Sequence, residues 1–344
     1  MRAITITKHG GPEVLQVREY PDPHPEPGQV RVRVKACGLN FAELMARQGL
    51  YPAAPKPPCV VGYEAAGIVD ELGECVTDYS VGDRVLLATK FGAHADLVCA
   101  NVRQVYPMPD GMSFEEAAAL PVNYLTAHHI LTRAAFVKPG DHVLVHAAAG
   151  GVGIAVLQLC RAIGGVTTYG TASPGKHELI REQGCDHPID YRNLDSAEEV
   201  QRLTDGGGVD VVLDALGGRD WAKGYGLLKP MGRLIAFGFA NMTTPTKRNL
   251  FKVVWQWLTM PRFAPLSMMN DNRAIAGVSL GDLWEHVELL RSQMVELLPL
   301  YTAGKIRPRV DSVFRFEDAR AAHEHMQARR NVGKIVLVPW ENQL

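Results

Sequence analysis

The sequence predicts an α/β protein made of a β-rich unit and a doubly wound parallel sheet with helices on both faces. Three observations carry that expectation. Val143–Val145 read as a short buried strand, the Gly150-Gly151-Val152-Gly153 turn follows, and Ile154 to Ile163 run at helical spacing. From Asp141 onward strand and helix patterns alternate, which gives parallel strands joined by helices. Before residue 113 the pattern differs: short alternating runs are separated by Gly and Pro, as in a compact barrel. With 344 residues the chain is too long for one ordinary core, so two domains are expected.

Composition excludes several function classes. Hydrophobic residues make up 47% and charged residues 21%, the balance of a globular protein. A formal net charge of −1 offers no basic field to nucleic acid, and no polybasic tract invites a membrane surface. Met1 is not followed by a charged head and an apolar core, so a cytoplasmic protein is expected. Residues His142 to Cys160 carry no charge, yet the glycines and the strand-then-helix pattern mark a buried βα unit, not a membrane span. The cysteines at 37, 59, 75, 99, 160 and 185 form no CxxC pair, which predicts reduced thiols, no structural zinc and no disulfide framework.

The elements follow in order. Arg2 to Thr7 alternate loosely, prolines at 21, 23, 25 and 27 mark a crossing, and Val30 to Val34 alternate as a half-buried strand does. A short helix ends at Gln48, and a loop with prolines at 52, 55, 57 and 58 leads to strands at Val60–Val69, Arg84-Val85 and Ala93–Cys99. Ser113-Phe114-Glu115-Glu116 has the form of a capping box opening an Ala-rich helix through Leu120; Pro121 interrupts, and Tyr124–Arg133 continue as helix. The second strand of the parallel sheet is Val166–Gly170, with a helix near Lys176–Gln183. The third centres on Pro188–Tyr191, followed by a helix at Ser196–Leu203; Val209–Asp214 and Arg233–Phe239 are the fourth and fifth. Phe251, Val253, Val254, Trp255, Trp257, Leu258, Met260, Met268 and Met269 make a dense apolar segment. It reads equally as a core-facing helix and as a wall over an apolar substrate. Leu283–Leu298 is amphipathic, and Val310–Phe314, Phe316–Arg330 and Lys334–Val338 read as strand, helix and strand. A last strand of this type can rejoin the first domain, making the parallel-sheet unit an insertion.

The glycine turn is a phosphate cradle in that context. Glycines let the backbone approach an anion, and free N–H groups at the helix start attract it, which assigns Ala148, Gly150, Gly151, Val152 and Gly153 to a dinucleotide. An acidic residue roughly 20 positions further on would hold the ribose hydroxyls of NAD. Tyr169-Gly170-Thr171-Ala172-Ser173-Pro174-Gly175-Lys176 carries none. Thr171 and Ser173 offer hydroxyls, Lys176 a positive charge, and Tyr191 a ring end from the third strand, which favours NADPH over NADH.

Over essentially its whole length the chain resembles the medium-chain dehydrogenase/reductases, in their zinc-free quinone oxidoreductase (zeta-crystallin-like) branch. The residues that carry the resemblance are Cys37-Gly38-Leu39-Asn40-Phe41, Gly62-Tyr63-Glu64-Ala65-Ala66-Gly67, Leu120-Pro121 with Thr126-Ala127, and Ala147 to Gly153. The Trp-rich insert and Asn331–Leu337 are similar to the vesicle amine transport protein homologues of that branch. The resemblance implies a GroES-like domain (1–123 plus 299–344) around a Rossmann domain (124–298), and commonly a homodimer.

It also implies a mechanism. Zinc alcohol dehydrogenases take a Cys where this chain has Asn40, a His where it has Tyr63, and a Cys near Val122. Amide, phenol and isopropyl groups are not a zinc set, so no metal is expected and an ordinary alcohol has no route to deprotonation. What remains is hydride donation from NADPH to a quinone or to the β-carbon of an enone. By the resemblance Asn40 faces the nicotinamide and hydrogen-bonds the acceptor carbonyl, while Tyr51 or Tyr63 stabilises the oxyanion or supplies a proton. Thr126 lies near the nicotinamide or its phosphate, Phe237 and Gly238 near the carboxamide, and Asn331 and Lys334 approach from the C-terminal segment. A third reading, of another class, is an NADPH-binding scaffold whose segment 251–269 docks a partner or a lipid.

Overall fold

The computed structural model describes residues 1–242, Trp255 and 258–339. Strand β3 (Gln29–Leu39) shows why the N-terminal half is β-rich. Val30, Val32 and Val34 are buried while Arg33 between them is exposed, and burial becomes continuous from Ala36 to Leu39. Around it stand β5 (Glu64–Leu72), β6 (Arg84–Ala88), β7 (Leu97–Asn101), β8 (Val105–Pro107), β15 (Val310–Arg315) and β16 (Lys334–Val338). Their order is β15-β16-β3-β5-β6-β8, with β7 also paired to β3. The C-terminal strand does rejoin the first sheet: Ile335, Val336 and Leu337 of β16 face Leu39, Gly38 and Cys37 of β3, antiparallel. A small antiparallel sheet orders β2 (Leu15–Glu19), β1 (Arg2–Ile6) and β4 (Cys59–Val60) beside it.

The second sheet comprises β9 (His142–Val145), β10 (Thr167–Ala172), β11 (His187–Asp190), β12 (Val209–Asp214), β13 (Leu228–Ala236) and β14 (Ala274–Gly277). All its pairs are parallel and the order is β11-β10-β9-β12-β13-β14. The chain therefore reverses direction of assembly between β9 and β12, which is where open α/β sheets bind ligands at the carboxyl ends of their strands. β9 shows how a strand serves two faces. Val143 and Val145 enter one core with Ile154, Ala155 and Leu157, whereas Leu144 enters another with Val200 and Val212.

Several boundaries differ from expectation for local reasons. Pro121 does not interrupt a helix but opens one, α3 (Pro121–His129), just after α2 (Phe114–Ala119); a first-turn residue needs no N–H partner. Beyond it Ile130–Ala134 form a π-helical turn. The amphipathic helix runs from Val287 to Thr302 and tolerates Pro299 near its end. The strand expected at Ala93–Cys99 is Leu97–Asn101. Strand β14 and the helix Asp220–Gly226 went unanticipated, one being only four residues long with a single large side chain, Ile275, and the other containing Gly224 and Gly226. At Gly224 a Cβ would stand 2.9 Å from Leu234 Cδ1 and 3.0 Å from Val212 Cγ1, so a larger residue needs those side chains to shift.

In the apolar segment, Phe251, Val253, Val254 and Trp257 lie outside the described residues. Trp255 and Leu258 are exposed, as is Met269 on the helix Pro265–Asp271. Among the described residues no helix is long and apolar enough to cross a membrane.

Candidate active site

The glycine turn sits at the switch point. After β9 the chain passes through Ala147 at φ +54, whose carbonyl accepts the Gly150 N–H at 2.9 Å, and α4 (Gly151–Ile163) begins with no side-chain cap. Uncapped first-turn N–H groups leave the positive end of α4 open to an anion. The glycines are not equivalent. A Cβ on Gly153 would lie 2.6 Å from the carbonyl oxygens of both Ala147 and Ala148, and one on Gly151 would lie 2.4 Å from Asn123 Nδ2. Gly150 would meet only Ala147 O, at 3.2 Å.

Beside the turn lies a cavity of about 640 Å³ lined by Ser173, Pro174, Gly175, Lys176, Arg192, Asn193, Arg330 and Val332. Three cations and no carboxylate line it, a charge set made for a phosphate dianion. Ser173 and Lys176 are where the sequence placed them. Lys176 is also structural: its Nζ donates to the carbonyl oxygens of Arg329 at 2.8 Å and Asn331 at 2.7 Å. Burial pushes its ammonium pKa down, Asp311 opposes that shift, and Arg192 adds to it.

Thr171 and Tyr191, expected beside the same phosphate, do not line this cavity. The Thr171 hydroxyl is buried against the turn after β9, accepting the Ala147 N–H at 3.2 Å and lying 3.3 Å from His146 Nδ1. Thr171 lies within β10 and faces inward, whereas Ser173 follows the strand end, where the chain turns and lines the cavity. Tyr191 is 40% exposed and Arg192, its neighbour, lines the cavity instead. Arg192 and Arg330 went unnoticed in the sequence; each is adjacent to a residue that was singled out.

The acceptor side is organised around Asn40. It caps α1 (Phe41–Gln48), and Glu43 at the third helical position returns a carboxylate oxygen to the Asn40 N–H at 2.8 Å. Asn40 Nδ2 donates to Glu64 Oε1 at 3.0 Å and to Glu43 Oε1 at 3.3 Å. Its Oδ1 accepts from the Lys334 ammonium, which also pairs with Glu64. Glu64 Oε2 takes the Val122 N–H at 2.7 Å. Both amide hydrogens of Asn40 are therefore committed, which corrects the expectation that they reach an acceptor carbonyl. Lys334 is 2% exposed and Glu64 fully buried, so this is an interior ion pair whose breakage would strand a charge. Burial raises the Glu43 carboxyl from its ordinary 4.5 to about 8, with Lys334 and the hydrogen bonds opposing.

The tyrosines stand together nearby. Tyr63 stacks on Trp284, with centroids 5.6 Å apart and planes at 10°, and meets Tyr51 edge-on at 6.4 Å. The Tyr63 hydroxyl is buried without a hydrogen bond of good geometry. Burial raises both phenol pKa values, so the hydroxyls stay protonated and can donate.

Thr126 Oγ1 donates back to Val122 O at 2.6 Å. Phe237 and Gly238 follow β13, with the Phe237 N–H on Asp214 O at 3.0 Å and Gly238 too close to Ala215 O, 2.8 Å, to carry a Cβ. Asn331 Nδ2 donates to Gly333 O at 2.9 Å. Sequence reasoning also missed His146 and Asp214, buried side by side at the ends of β9 and β12. Asp214 Oδ1 accepts the Leu216 and Gly217 N–H groups, and its Oδ2 has no partner.

The family model for the alcohol dehydrogenase GroES-like domain matches residues 26–127, and the one for zinc-binding dehydrogenase matches 183–337. The synaptic vesicle membrane protein VAT-1 homolog of Danio rerio is 48% identical over 338 residues, 98% of this chain and 69% of that protein. The chain belongs to the medium-chain dehydrogenase/reductase family. Within it, the Escherichia coli quinone oxidoreductase, solved in complex with NADPH, superposes at a TM-score of 0.86 with 31% identity, covering 98% of this chain and 100% of that one. The CurK enoyl reductase superposes at 0.83 with 29% identity over 98% of each chain.

Zinc, which one family description names, does not fit this medium-chain dehydrogenase/reductase. Asn40 and Tyr63 carry an amide and a phenol, Val122 carries no donor, and the Lys334 ammonium already occupies the carboxylate beside them. Among the described residues no group of three His, Cys, Asp or Glu could hold a metal ion.

Proposed function

We propose that this protein is an NADPH-dependent, zinc-independent oxidoreductase that passes a hydride to a quinone. The observation that carries the reading is the cationic cavity of Ser173, Lys176, Arg192 and Arg330 beside the glycine turn. A 2′-phosphate fits that charge set, and the diphosphate fits the open N-terminus of α4. Ala148, Gly150, Gly151, Val152, Gly153 and Asn331 then frame the dinucleotide, and Thr126, Phe237 and Gly238 bound its nicotinamide end. NADPH, when bound, supplies the hydride. The chain orients the two reactants, keeps water out behind Tyr63 and Trp284, and offers the protonated Tyr51 and Tyr63 hydroxyls to oxygen that gains charge. Asn40 acts by positioning, since its amide is held by Glu43, Glu64 and Lys334.

The same geometry suits the β-carbon of an enone, and the likeness to an enoyl reductase favours that as the second reading. Purified protein given NADPH with a panel of quinones and α,β-unsaturated carbonyls decides. Turnover of quinones is expected; turnover of enones alone would replace the first reading by the second. If no acceptor accelerates NADPH oxidation while NADPH binds tightly, the scaffold reading stands instead.

For the cofactor, Arg330→Ala and Arg192→Ala should each weaken NADPH by about 10- to 150-fold, the equivalent of roughly 1.5–3 kcal/mol for a charge-assisted contact, and leave NADH nearly unchanged. Equal losses with both cofactors would put the 2′-phosphate elsewhere. The reading extends to a cytoplasmic homodimer. Among the described residues β14 has no partner on its outer side, and an open edge strand is suited to pairing with its own copy.

A further inference from the structure

Residues 329–334 touch each part of the cleft in turn. At one end Lys176 Nζ holds the carbonyl oxygens of Arg329 and Asn331, and Arg330 and Val332 line the cationic cavity. In the middle the Gly333 N–H donates to Ala149 O at 2.9 Å, and Gly333 forms a parallel bridge with Gly150 of the glycine turn. At the other end the Lys334 ammonium joins Asn40 to Glu64. This path has little slack. Gly333 sits at φ +93, where a Cβ would stand 2.3 Å from Arg309 O. A Cβ on Gly38 would lie 2.4 Å from Glu64 Oε1 and 2.5 Å from Lys334 Cε.

We propose that this segment is a strap that carries cofactor occupancy to the acceptor side, with Lys334 as the positioning residue that sets Asn40 and the start of α1. The inference rests on the NADPH-dependent reading. An anion in the cavity and on the turn engages Arg330, Lys176 and the N–H groups beside Gly150, and so selects one placement of residues 329–333. Lys334 is the next residue, and its ammonium has two fixed partners, so that placement is passed to Asn40 and Glu64 without a moving side chain between them. The cation of this cleft is thereby part of the cofactor-contacting backbone, where an exchangeable ion would be independent of it.

Hydrogen exchange on the full chain, with and without NADPH, tests the strap. In the parent, NADPH should slow exchange at 147–153 and 329–334 and also at 38–48. The double variant Lys334→Met/Glu64→Gln removes both buried charges, so neither is left unpaired. It should keep the protection at 147–153 but exchange about tenfold faster at 38–48 in the NADPH-bound state, the consequence of one lost coupling contact. In turnover it should lose kcat more than it raises KM for NADPH. Equal protection at 38–48 in parent and double variant overturns the strap. If the double variant fails to fold, Asn40→Ala, which keeps the Lys334–Glu64 pair, must still lose NADPH-induced protection at 41–48; unchanged protection there overturns the strap as well. A parent that NADPH does not protect at 147–153 removes the underlying reading and the strap with it. Protection there without any at 38–48 removes the strap alone.

Discussion

Burial keeps a proton on the Glu43 carboxyl where water would take it, and the Lys334 ammonium opposes that only in part. For Glu43 the folded pKa is about 8 against an ordinary 4.5. Between those values the folded state holds a proton that the unfolded chain releases, so this contribution to stability is complete below the lower value and is lost as pH rises to the upper one. Glu43→Gln should therefore flatten the fall in urea midpoint between about pH 5 and about pH 9. A slope identical to the parent's would mean that Glu43 is ionised throughout. The glycine turn makes a second residue-level prediction. Gly153→Ala drives a Cβ into two backbone carbonyls and should cost about 1–3 kcal/mol and most NADPH binding. Gly150→Ala, at φ −77 and with one contact at 3.2 Å, should stay within about 1 kcal/mol of the parent. Thermal melts with and without NADPH separate the two.

At the scale of elements, α1, the loop before β7 and the helix Ala319–Gln327 meet over Arg47, His94 and His323, all buried. Arg47 donates to Gly10 O at 2.9 Å and Gln327 Oε1 at 3.0 Å. His94 Nε2 lies 3.1 Å from Gly38 O, and the Nδ1 atoms of both histidines lack partners. Burial lowers the His94 pKa to about 4 and the His323 pKa well below its ordinary value, with Arg47 adding to the second shift. The unfolded chain binds protons that this junction refuses, so stability should fall as pH drops from about 6.5 toward about 4. Replacing His323 by Phe should lessen that acid dependence in denaturant titrations; an unaltered slope would place the acid sensitivity elsewhere. Elements of this protein were legible where burial is one-sided or continuous. Ser196–Leu203, Val209–Asp214 and Lys334–Val338 match their expected bounds residue for residue. Strand β14 was not, because four residues with one large side chain, Ile275, carry no period. The lining of the cavity was legible where it is local, as with Ser173 and Lys176. Arg192 and Arg330 come together only through the pairing of β10 with β11 and the path of the C-terminal segment, which no short spacing encodes. The inward direction of Thr171 was not legible, because a hydroxyl on a strand end looks alike in sequence whichever way it faces.

Among the described residues two large sheets and a small third one make up the β structure, and the parallel sheet ends in the edge strand β14. If β14 pairs with its own copy, Ala274→Lys places two ammonium groups at that junction and should shift light-scattering mass toward the monomer; a parent already monomeric would rule out the edge pairing. The other sheet depends on β16. Strand β3 is placed between β5 and β16, which are separated by the whole parallel-sheet unit in sequence. During synthesis residues 29–39 thus emerge early and wait for residues 334–338 to complete their hydrogen bonding, while the parallel sheet can assemble as soon as β14 has left the ribosome. Between the release of β14 and that of β16 the nascent chain holds one sheet ready to close while the other carries an unclaimed strand edge, and it is in that interval, not in the finished protein, that a chaperone has most to cover.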